Sequence, residues 1–312
     1  MSEERSFHVI IRELCEEMGI NMEKKSFGWI LKLSKGDKVK YIVSTTFPLN
    51  PESSGKIVSD KYATYEVLKD AEIPTVKHTM IFNPANRAEY IPAEGNYNTV
   101  LSEFLKYGTL VVKPNSGCEG HGVTLCKSLK EVEVAIQKLF KTNPSVSICP
   151  YYDIEKEYRT FYLNGKVLLI YGKTKPFVVG DGVSTLQELI TKLNLPEKSI
   201  VDKNMKLFDL NMIPAKGQNI ELSWKHNLSG GAKATVLEKG ELYDEIESLA
   251  IGAGKATDVK FATVDIIRTT DGKLYVMEIN AGIGTAVFTE TVENGYELAK
   301  NVFREALKAM FN

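Results

Sequence analysis

Apolar residues recur along the chain at two spacings, one typical of α-helices and the other typical of β-strands. Helical spacing predicts helices over residues 7–18, 57–68, 129–140 and 241–256 and a further helix at the C-terminus. Strand spacing predicts strands at 29–33, 39–43, 109–113, 123–126, 146–152, 157–163 and 166–171 and a final pair within 260–280. In the last helix one face carries Leu298, Val302, Phe303, Ala306, Leu307 and Met310, as a core-facing helix does. The chain therefore mixes helices and sheets, and no internal repeat divides it.

The segment 260–280 is the most informative of these stretches. Two apolar runs flank Asp271-Gly272, a pair that favours a two-residue hairpin turn. In that register Asp265 lies opposite Glu278, and Asn280 follows on the same face. Two facing carboxylates about 5 Å apart repel each other, so we expect a positive partner between them. Three hard oxygen ligands suit Mg²⁺; the alternative is a solvated face that carries two unrelated acids.

A glycine-rich loop follows the strand at 109–113. Gly117, Gly120 and Gly122 fall within six residues between two predicted strands. Such a loop lets backbone N–H groups approach a ligand closely, as a phosphate cover requires. A tight hairpin without a ligand would explain the same glycines.

A second hairpin is predicted about Asn164-Gly165 by the same turn chemistry. In that register Lys173 faces Lys156 and lies on the opposite face of the hairpin from Arg159. Unless a bulge intervenes, Lys173 and Arg159 should not act at one site. Residues 193–235 then show little periodicity, which is more typical of a functional loop than of a core element.

Charge and composition restrict the class of protein. The 312 residues include 39 Lys and Arg against 40 Asp and Glu, so we expect neither nucleic acid nor an anionic membrane as a partner. The four cysteines form no CxxC pair, which favours free thiols in a reducing compartment. The N-terminus shows no apolar stretch of signal-peptide length and the longest apolar runs are strand-sized. We therefore expect a cytoplasmic protein.

Together these stretches resemble the ATP-grasp superfamily. The matching blocks are 59–75, 110–125, 157–166 and 264–280. The blocks 175–190, 213–222, 227–235 and 278–285 look like the ATP-grasp region of cyanophycin synthetases, and the glutathione-forming ligases are similar in layout. The resemblance implies an α+β ATP-grasp fold, in which two α/β subdomains clamp a nucleotide. It divides the chain into a reduced N-terminal region (1–56), a first subdomain with the glycine loop (57–152) and a second subdomain with the metal site (153–312).

The resemblance also implies roles for individual residues. Lys61 and Lys113 match the lysines that hold the nucleotide phosphates, Glu157 matches the acid that binds the ribose, and Lys173 falls where a cation contacts the transferring phosphate. The implied nucleotide-binding set is Lys61, Lys113, Ser116, Gly117, Gly120, Gly122, Tyr151, Tyr152, Glu157 and Lys173. The implied catalytic residues are Lys173, Arg268 and Asn280, and the implied metal ligands are Asp265, Glu278 and Asn280. For Arg268 a surface cation is an equally good interpretation, because strand alternation turns it away from Asp265.

Two departures from the family pattern limit what the resemblance carries over. Pro150 stands where relatives often place a glutamate that binds the adenine amine, so the backbone of 149–152 is expected to recognise the base instead. The N-terminal region of about 56 residues is much smaller than the domain that helps many relatives bind their acid substrate. The identity of the substrate is therefore not implied.

The activity that the resemblance implies is an ATP-dependent carboxylate–amine ligase that works through an acyl phosphate. Its cofactors would be ATP and two Mg²⁺ ions, with Mn²⁺ as a substitute. Its substrates would be a small acid and an amine, such as amino acids or a peptide, and a homodimer is a further expectation. The alternatives are a phosphotransferase that uses the same nucleotide site and a nucleotide-binding regulatory protein without turnover.

Overall fold

The computed structural model describes residues 5–85, 92, 95–117, 120–193 and 208–312. Its helices are α1 Ser6–Met18, α2 Glu52–Ser59, α3 Lys61–Asp70, α4 Tyr97–Tyr107, α5 Leu129–Phe140, α6 Leu186–Thr191, α7 Glu241–Ala256, α8 Ala286–Thr291 and α9 Gly295–Phe311. Its strands are β1 Asn21–Lys25, β2 Ile30–Lys35, β3 Lys38–Val43, β4 Thr79–Phe82, β5 Leu110–Pro114, β6 Thr124–Cys126, β7 Ser145–Pro150, β8 Ile154–Leu163, β9 Lys166–Lys173, β10 Phe177–Val179, β11 Asn219–Glu221, β12 Ala234–Val236, β13 Phe261–Thr269 and β14 Leu274–Asn280.

These strands form four antiparallel sheets. The N-terminal sheet has the order β1-β2-β3, and a four-stranded sheet has the order β4-β7-β5-β6. The largest sheet has the order β12-β9-β8-β13-β14, and β10 pairs with β11 beside it. Helices and antiparallel sheets in this arrangement are the predicted α+β class.

The N-terminal region shares its core with the C-terminal helix. The ring centroids of Phe7 on α1 and Phe303 on α9 lie 5.2 Å apart in an edge-to-face arrangement. Those of Phe47 and Phe261 lie 5.0 Å apart in the same arrangement. Such aromatic pairs stabilise beyond the area that they bury. The face predicted for α9 is buried against this cluster, apart from the partly buried Leu298. The first residues of the chain are therefore packed against its last helix.

Two short segments link other parts of the chain to β14. Val76 donates its backbone N–H to the carbonyl of Val276, and the N–H of Val276 donates to the carbonyl of Pro74, both at 2.9 Å. At the far end of β14, Ile283 donates to the carbonyl of Thr45 at 3.0 Å. The strand that carries the predicted metal ligands is thus held at both ends.

Two helix and strand predictions need correction. The helix predicted over 57–68 is two helices, because Asp60 adopts an extended backbone between α2 and α3 and its side chain accepts from the N–H of Ala63. An N-cap carboxylate of this kind starts a helix. Strand β1 was not predicted, since its sequence is polar and lacks the strand pattern. Within the described residues no helix is both long and apolar enough to span a membrane.

Candidate functional site

The β13–β14 hairpin brings the predicted carboxylates together, although the predicted turn is wrong. Thr269 donates to the carbonyl of Lys273 and Gly272 alone has a positive φ of 84°, so the loop has three residues rather than two. This loop shifts the register by one residue. An extra residue in β14, Met277, then shifts it back, and Asp265 faces Glu278 as predicted.

The β8–β9 hairpin also contains a bulge, and it overturns the predicted separation of two cations. The register shifts between Phe161 and Tyr162, so Lys173 faces Glu157 rather than Lys156. Because side chains alternate along a strand, Lys173 and Arg159 then lie on the same face. The predicted pairing of Lys173 with Lys156 is therefore wrong, and the separation of the two cations, which was predicted only for a hairpin without a bulge, does not apply.

These strands place four charged side chains in one cluster, the charged cluster: Glu157, Arg159, Lys173 and Asp265. Arg159 donates to both carboxylate oxygens of Asp265, from Nε at 2.8 Å and from a terminal nitrogen at 2.6 Å. Nζ of Lys173 pairs with Glu157 and lies 3.4 Å from Asp265. Asp265 therefore has two positive partners, Arg159 and Lys173, whereas the positive partner expected between Asp265 and Glu278 stays a prediction.

Burial and charge act in opposite directions within the charged cluster. Burial would raise the pKa of Asp265, but Arg159 and Lys173 together hold it well below its usual range. For Glu157, burial raises the pKa, and the neighbouring Lys173 offsets only part of that rise. Arg159 and Lys173 therefore favour the ionised form of Asp265, which is the form that binds a metal.

The donor set around Glu278 fits a hard cation. The amide nitrogen of Asn280 donates to Glu278 at 3.1 Å, which leaves the amide oxygen of Asn280 available. No group of three His, Cys, Asp or Glu side chains at metal-binding distance occurs in the described ranges. Two carboxylates and an amide are a small set, and Mg²⁺ commonly completes such a set with water and substrate phosphates.

Two cavities meet at the charged cluster. The smaller has an open volume of about 1020 Å³ and the larger about 3510 Å³. Both cavities are lined by Lys61, Gly117, Arg159, Lys173, Asn227, Met277 and Glu278. We call this shared boundary the junction. A group passed from one cavity to the other would cross it beside Arg159 and Lys173.

The smaller cavity combines an apolar slot with four lysines, Lys61, Lys113, Lys173 and Lys225. Val76, Val111, Cys149 and Ile267 form one buried cluster beside Tyr152, and all five line this cavity. Predicted nucleotide residues Lys113, Tyr151 and Glu157 also line it, as does Pro150. Nζ of Lys61 donates to the carbonyl of Gly117 at 3.0 Å, at the cavity's junction end. Apolar walls with a few convergent polar groups are typical of a site for a small molecule or cofactor.

Only part of the predicted glycine-loop set faces the cavity. Gly117 and Gly120 line it, and a Cβ added to Gly120 would lie 2.5 Å from the Asn227 side chain. Gly122 is not among the residues that line this cavity, and its positive φ of 72° and its contact with Leu139 account for that glycine. Ser116 forms a backbone bridge with Asp60 and is not among the lining residues of either cavity. Residues 118–119 lie outside the described residues.

A second loop holds the glycine loop from the opposite side. Nζ of Lys225 donates to the carbonyls of Gly120 at 3.2 Å and Val123 at 2.9 Å. Lys225 belongs to the segment 193–235, which was predicted to be functional and of which 194–207 lie outside the described residues. The segment therefore contacts the candidate site where the structure describes it.

Arg268 is not brought to the site. It lies 3.6 Å from Glu155 and faces Lys156 across the β8–β13 pair. It lines neither cavity, and its side chain is 37 % exposed. The surface interpretation of Arg268 therefore agrees with its position, whereas the catalytic one does not.

Sequence reasoning missed several residues at the cavities. Arg159 could have been found from the sequence. It follows Glu157 by two positions, and strand alternation puts both side chains on one face. Within the described part of the chain, three buried side-chain atoms lack a hydrogen-bond partner: Nε2 of His78, Nε2 of His226 and Oγ1 of Thr285. His226 lines the smaller cavity, and His78 and Thr285 line the larger. Buried polar atoms are normally paired, so these three are candidates for ligand contact.

The chain is similar in sequence to known ATP-grasp proteins. Residues 214–305 match the model of the RimK-like ATP-grasp domain. Cyanophycin synthetase of Trichormus variabilis is 26 % identical over 332 residues, which covers 98 % of this chain and 35 % of the relative. The glutathione biosynthesis bifunctional protein GshAB of Mannheimia succiniciproducens is 26 % identical over 279 residues, which covers 80 % of this chain and 34 % of the relative.

A solved structure shows the same fold. The bifunctional glutathione synthetase from Pasteurella multocida superposes with a TM-score of 0.58 at 20 % identity, covering 96 % of this chain and 44 % of that one. The chain thus spans about a third of the length of the curated relatives and less than half of this structure. Within the chain, residues 214–305 are similar to the RimK-like ATP-grasp domain, and the chain is homologous to the cyanophycin synthetases and the GshAB proteins.

Proposed function

We propose that the protein is an ATP-dependent carboxylate–amine ligase. The observation that carries this proposal is the junction, where an apolar cavity lined by Lys61 and Lys113, among other cations, meets a larger cavity beside Arg159 and Lys173. ATP would occupy the smaller cavity and the acid substrate the larger one. The γ-phosphoryl group would then lie between them, where fixed positive charge is available.

The reaction would have two steps. A carboxylate oxygen attacks the γ-phosphorus of ATP and ADP leaves, which gives an acyl phosphate. The amine nitrogen then attacks the carbonyl carbon, the C–O bond to phosphate breaks, and the nitrogen loses a proton. Both steps develop negative charge on oxygen, which fixed positive groups stabilise. Arg159 and Lys173 would supply that charge, because Asp265 and Glu157 hold them in place. Such chemistry requires no protein nucleophile.

The remaining roles follow the lining of the smaller cavity. The apolar slot beside Tyr151 and Tyr152 would take the base, and Glu157 would take the ribose hydroxyls. Lys61 and Lys113 would hold the phosphates, because an ammonium group is a compact point charge. Asp265, Glu278 and Asn280 would hold two Mg²⁺ ions, or Mn²⁺ as a substitute; the metal would neutralise phosphate charge.

The larger cavity is lined by many hydroxyl and amide side chains. Among them are Ser44, Thr45, Thr46, Asn50, Thr263 and Thr285. Neutral hydrogen-bonding groups of this kind suit an amino acid or a peptide, and the relatives named for cyanophycin and glutathione fit that class. The homodimer and the cytoplasmic location remain predictions from the sequence.

Hydroxylamine should replace the natural amine and trap the acyl phosphate as a hydroxamate. We expect hydroxamate only when ATP, Mg²⁺ and the correct carboxylic acid are all present, and Lys113→Ala should suppress it by at least about tenfold because phosphate charge loses its partner. The measurement is a colorimetric hydroxamate assay together with ADP release, over a panel of amino acids and dipeptides.

The same assay separates the alternative activities. A phosphotransferase that acts on a hydroxyl would release ADP and form no hydroxamate, and a regulatory protein would do neither. ADP formation coupled to a phosphorylated hydroxyl product, without amide or hydroxamate, would refute the ligase proposal.

Arg268→Ala tests the surface interpretation of that residue. Because Arg268 pairs with a half-exposed Glu155 and lines neither cavity, we expect ligase turnover to stay within about twofold of the unaltered protein. The assay is ADP release at saturating substrates. A loss above about tenfold, with unchanged thermal stability, would return Arg268 to the catalytic set.

A further inference from the structure

A buried histidine–serine pair lies beside the junction. His78 immediately precedes β4, and its Nδ1 lies 2.7 Å from Oγ of Ser147 on β7. Only 2 % of His78 and none of Ser147 is exposed. The hydrogen bond and the surrounding packing therefore fix the orientation of the imidazole ring.

The other ring nitrogen has no hydrogen-bond partner among the residues that the structure describes. Nε2 of His78 is buried and makes no hydrogen bond in the structure. The carbonyl of Met277 lies near enough to raise the pKa of the ring slightly, but without the geometry of a hydrogen bond. A buried ring nitrogen without a partner is costly unless a ligand atom completes it.

The surroundings define the chemistry of that ligand. Burial first, and then the charges of Lys113 and Lys61, lower the pKa of His78 well below its ordinary value, so the ring is neutral. When the Ser147 hydroxyl donates to Nδ1, the single ring proton is on Nε2, which makes Nε2 a donor. A neutral N–H group beside two ammonium groups is complementary to an anionic oxygen.

The position of His78 indicates which part of a bound nucleotide it could contact. His78 lines the larger cavity together with the junction residues Lys61, Met277 and Glu278, and it is not among the residues that line the smaller cavity. The base and ribose would lie in the smaller cavity. The part of ATP that reaches the junction is its terminal phosphoryl group.

We propose that His78, held by Ser147, donates a hydrogen bond from Nε2 to an oxygen of the γ-phosphoryl group of ATP. This assignment rests on the proposed function, since it requires ATP in the smaller cavity with its γ-phosphate at the junction. His78 contacts that phosphate, and Ser147 is a positioning residue that acts through His78.

Two substitutions at His78 separate the roles of its ring nitrogens. An Asn amide reaches the place of Nδ1 but not that of Nε2, so His78→Asn keeps the Ser147 contact and loses the donor. A Gln amide reaches the place of Nε2, so His78→Gln keeps the donor. Ser147→Ala keeps the ring and removes its orienting partner.

The measurement is calorimetric binding of ADP and of the β,γ-imido analogue of ATP, each with Mg²⁺. We expect His78→Asn to lower the affinity for the imido analogue by about tenfold or more and the affinity for ADP by less than about twofold. Loss of one hydrogen bond to a charged group predicts a change of this size. His78→Gln should recover most of the affinity for the imido analogue. Ser147→Ala should show a smaller loss that is again confined to the imido analogue.

Other outcomes overturn the assignment. Equal loss of ADP and imido-analogue affinity in His78→Asn would show that His78 only supports the fold, and unchanged affinity for both would show that it contacts neither. The melting temperature of each variant shows whether a loss of affinity reflects a destabilised fold. Recovery of affinity in His78→Gln gives a second check, since that variant keeps the donor. Failure of the unaltered protein to bind either nucleotide would refute the proposed function itself, and this assignment with it.

Discussion

Replacing Glu278 by Gln is expected to lower turnover by at least about 100-fold, because the substitution removes one of two carboxylates from the proposed metal site. The free energy of unfolding should change by less than about 1 kcal/mol. Asp265, which faces Glu278, already has Arg159 and Lys173 as partners, so repulsion between the two carboxylates is largely compensated. The measurements are ADP release with excess Mg²⁺ and chemical denaturation without metal.

Glu155→Gln is the matched control for this prediction. Glu155 lies on the neighbouring strand β8, is 52 % exposed and pairs with Arg268 outside both cavities. We expect it to leave turnover within about twofold, as surface ion pairs contribute little. A large loss of stability in Glu278→Gln with activity retained would contradict the metal assignment.

The two hairpins show how far strand patterns predict a site. The Asp271-Gly272 pair predicted a hairpin with a two-residue turn, and the register of that turn predicted that Asp265 faces Glu278. That pairing is confirmed only because a three-residue loop and the bulge at Met277 offset each other. Alternation predicts which face a side chain takes, but a bulge depends on contacts beyond the strand, here with residues 74–76 beside Val276.

The β8–β9 hairpin had no such compensation. Its turn was predicted about Asn164-Gly165, and Asn164 and Gly165 both have positive φ, as expected. The register shift beyond Tyr162 then reverses the face of every later residue in β9, including Lys173. The sequence therefore predicted Glu157, Lys173 and Asp265 individually but missed Arg159, and it could not predict that Arg159 and Lys173 converge on Asp265.

Helices were predicted more completely than contacts between distant segments. The helices over 129–140 and 241–256 have the predicted bounds, because apolar periodicity is a local property. The break at Asp60 had a local signal too, since an Asp before a helical run is a common N-cap. By contrast, the packing of Phe7 against Phe303 joins the two ends of the chain, and no local pattern reports it.

Lys173→Met is expected to destabilise the protein by about 3–5 kcal/mol, because it removes the cation from a buried ion pair and leaves the carboxylate behind. The side chain of Lys173 is 4 % exposed and that of Glu157 is 7 % exposed. Methionine keeps the length and apolar character of the Lys stem, so the lost charge rather than lost volume dominates. Lys175→Met is the control: its partner Glu221 is 62 % exposed, and the loss there should stay below about 1 kcal/mol.

The destabilisation by Lys173→Met should also depend on pH, with a sign that follows from proton binding. Burial already raises the pKa of Glu157, and loss of Lys173 removes the charge that opposes this rise. Above the ordinary Glu pKa of about 4.3, folded Glu157 in the variant then holds a proton that the unfolded chain has released. Stability of the variant therefore falls as pH rises from about 4.3 through the raised pKa. Denaturant unfolding should therefore show a smaller difference in the free energy of unfolding between the variant and the unaltered protein at pH 5 than at pH 8. An equal difference at both pH values would show that Glu157 is not the carboxylate left unpaired.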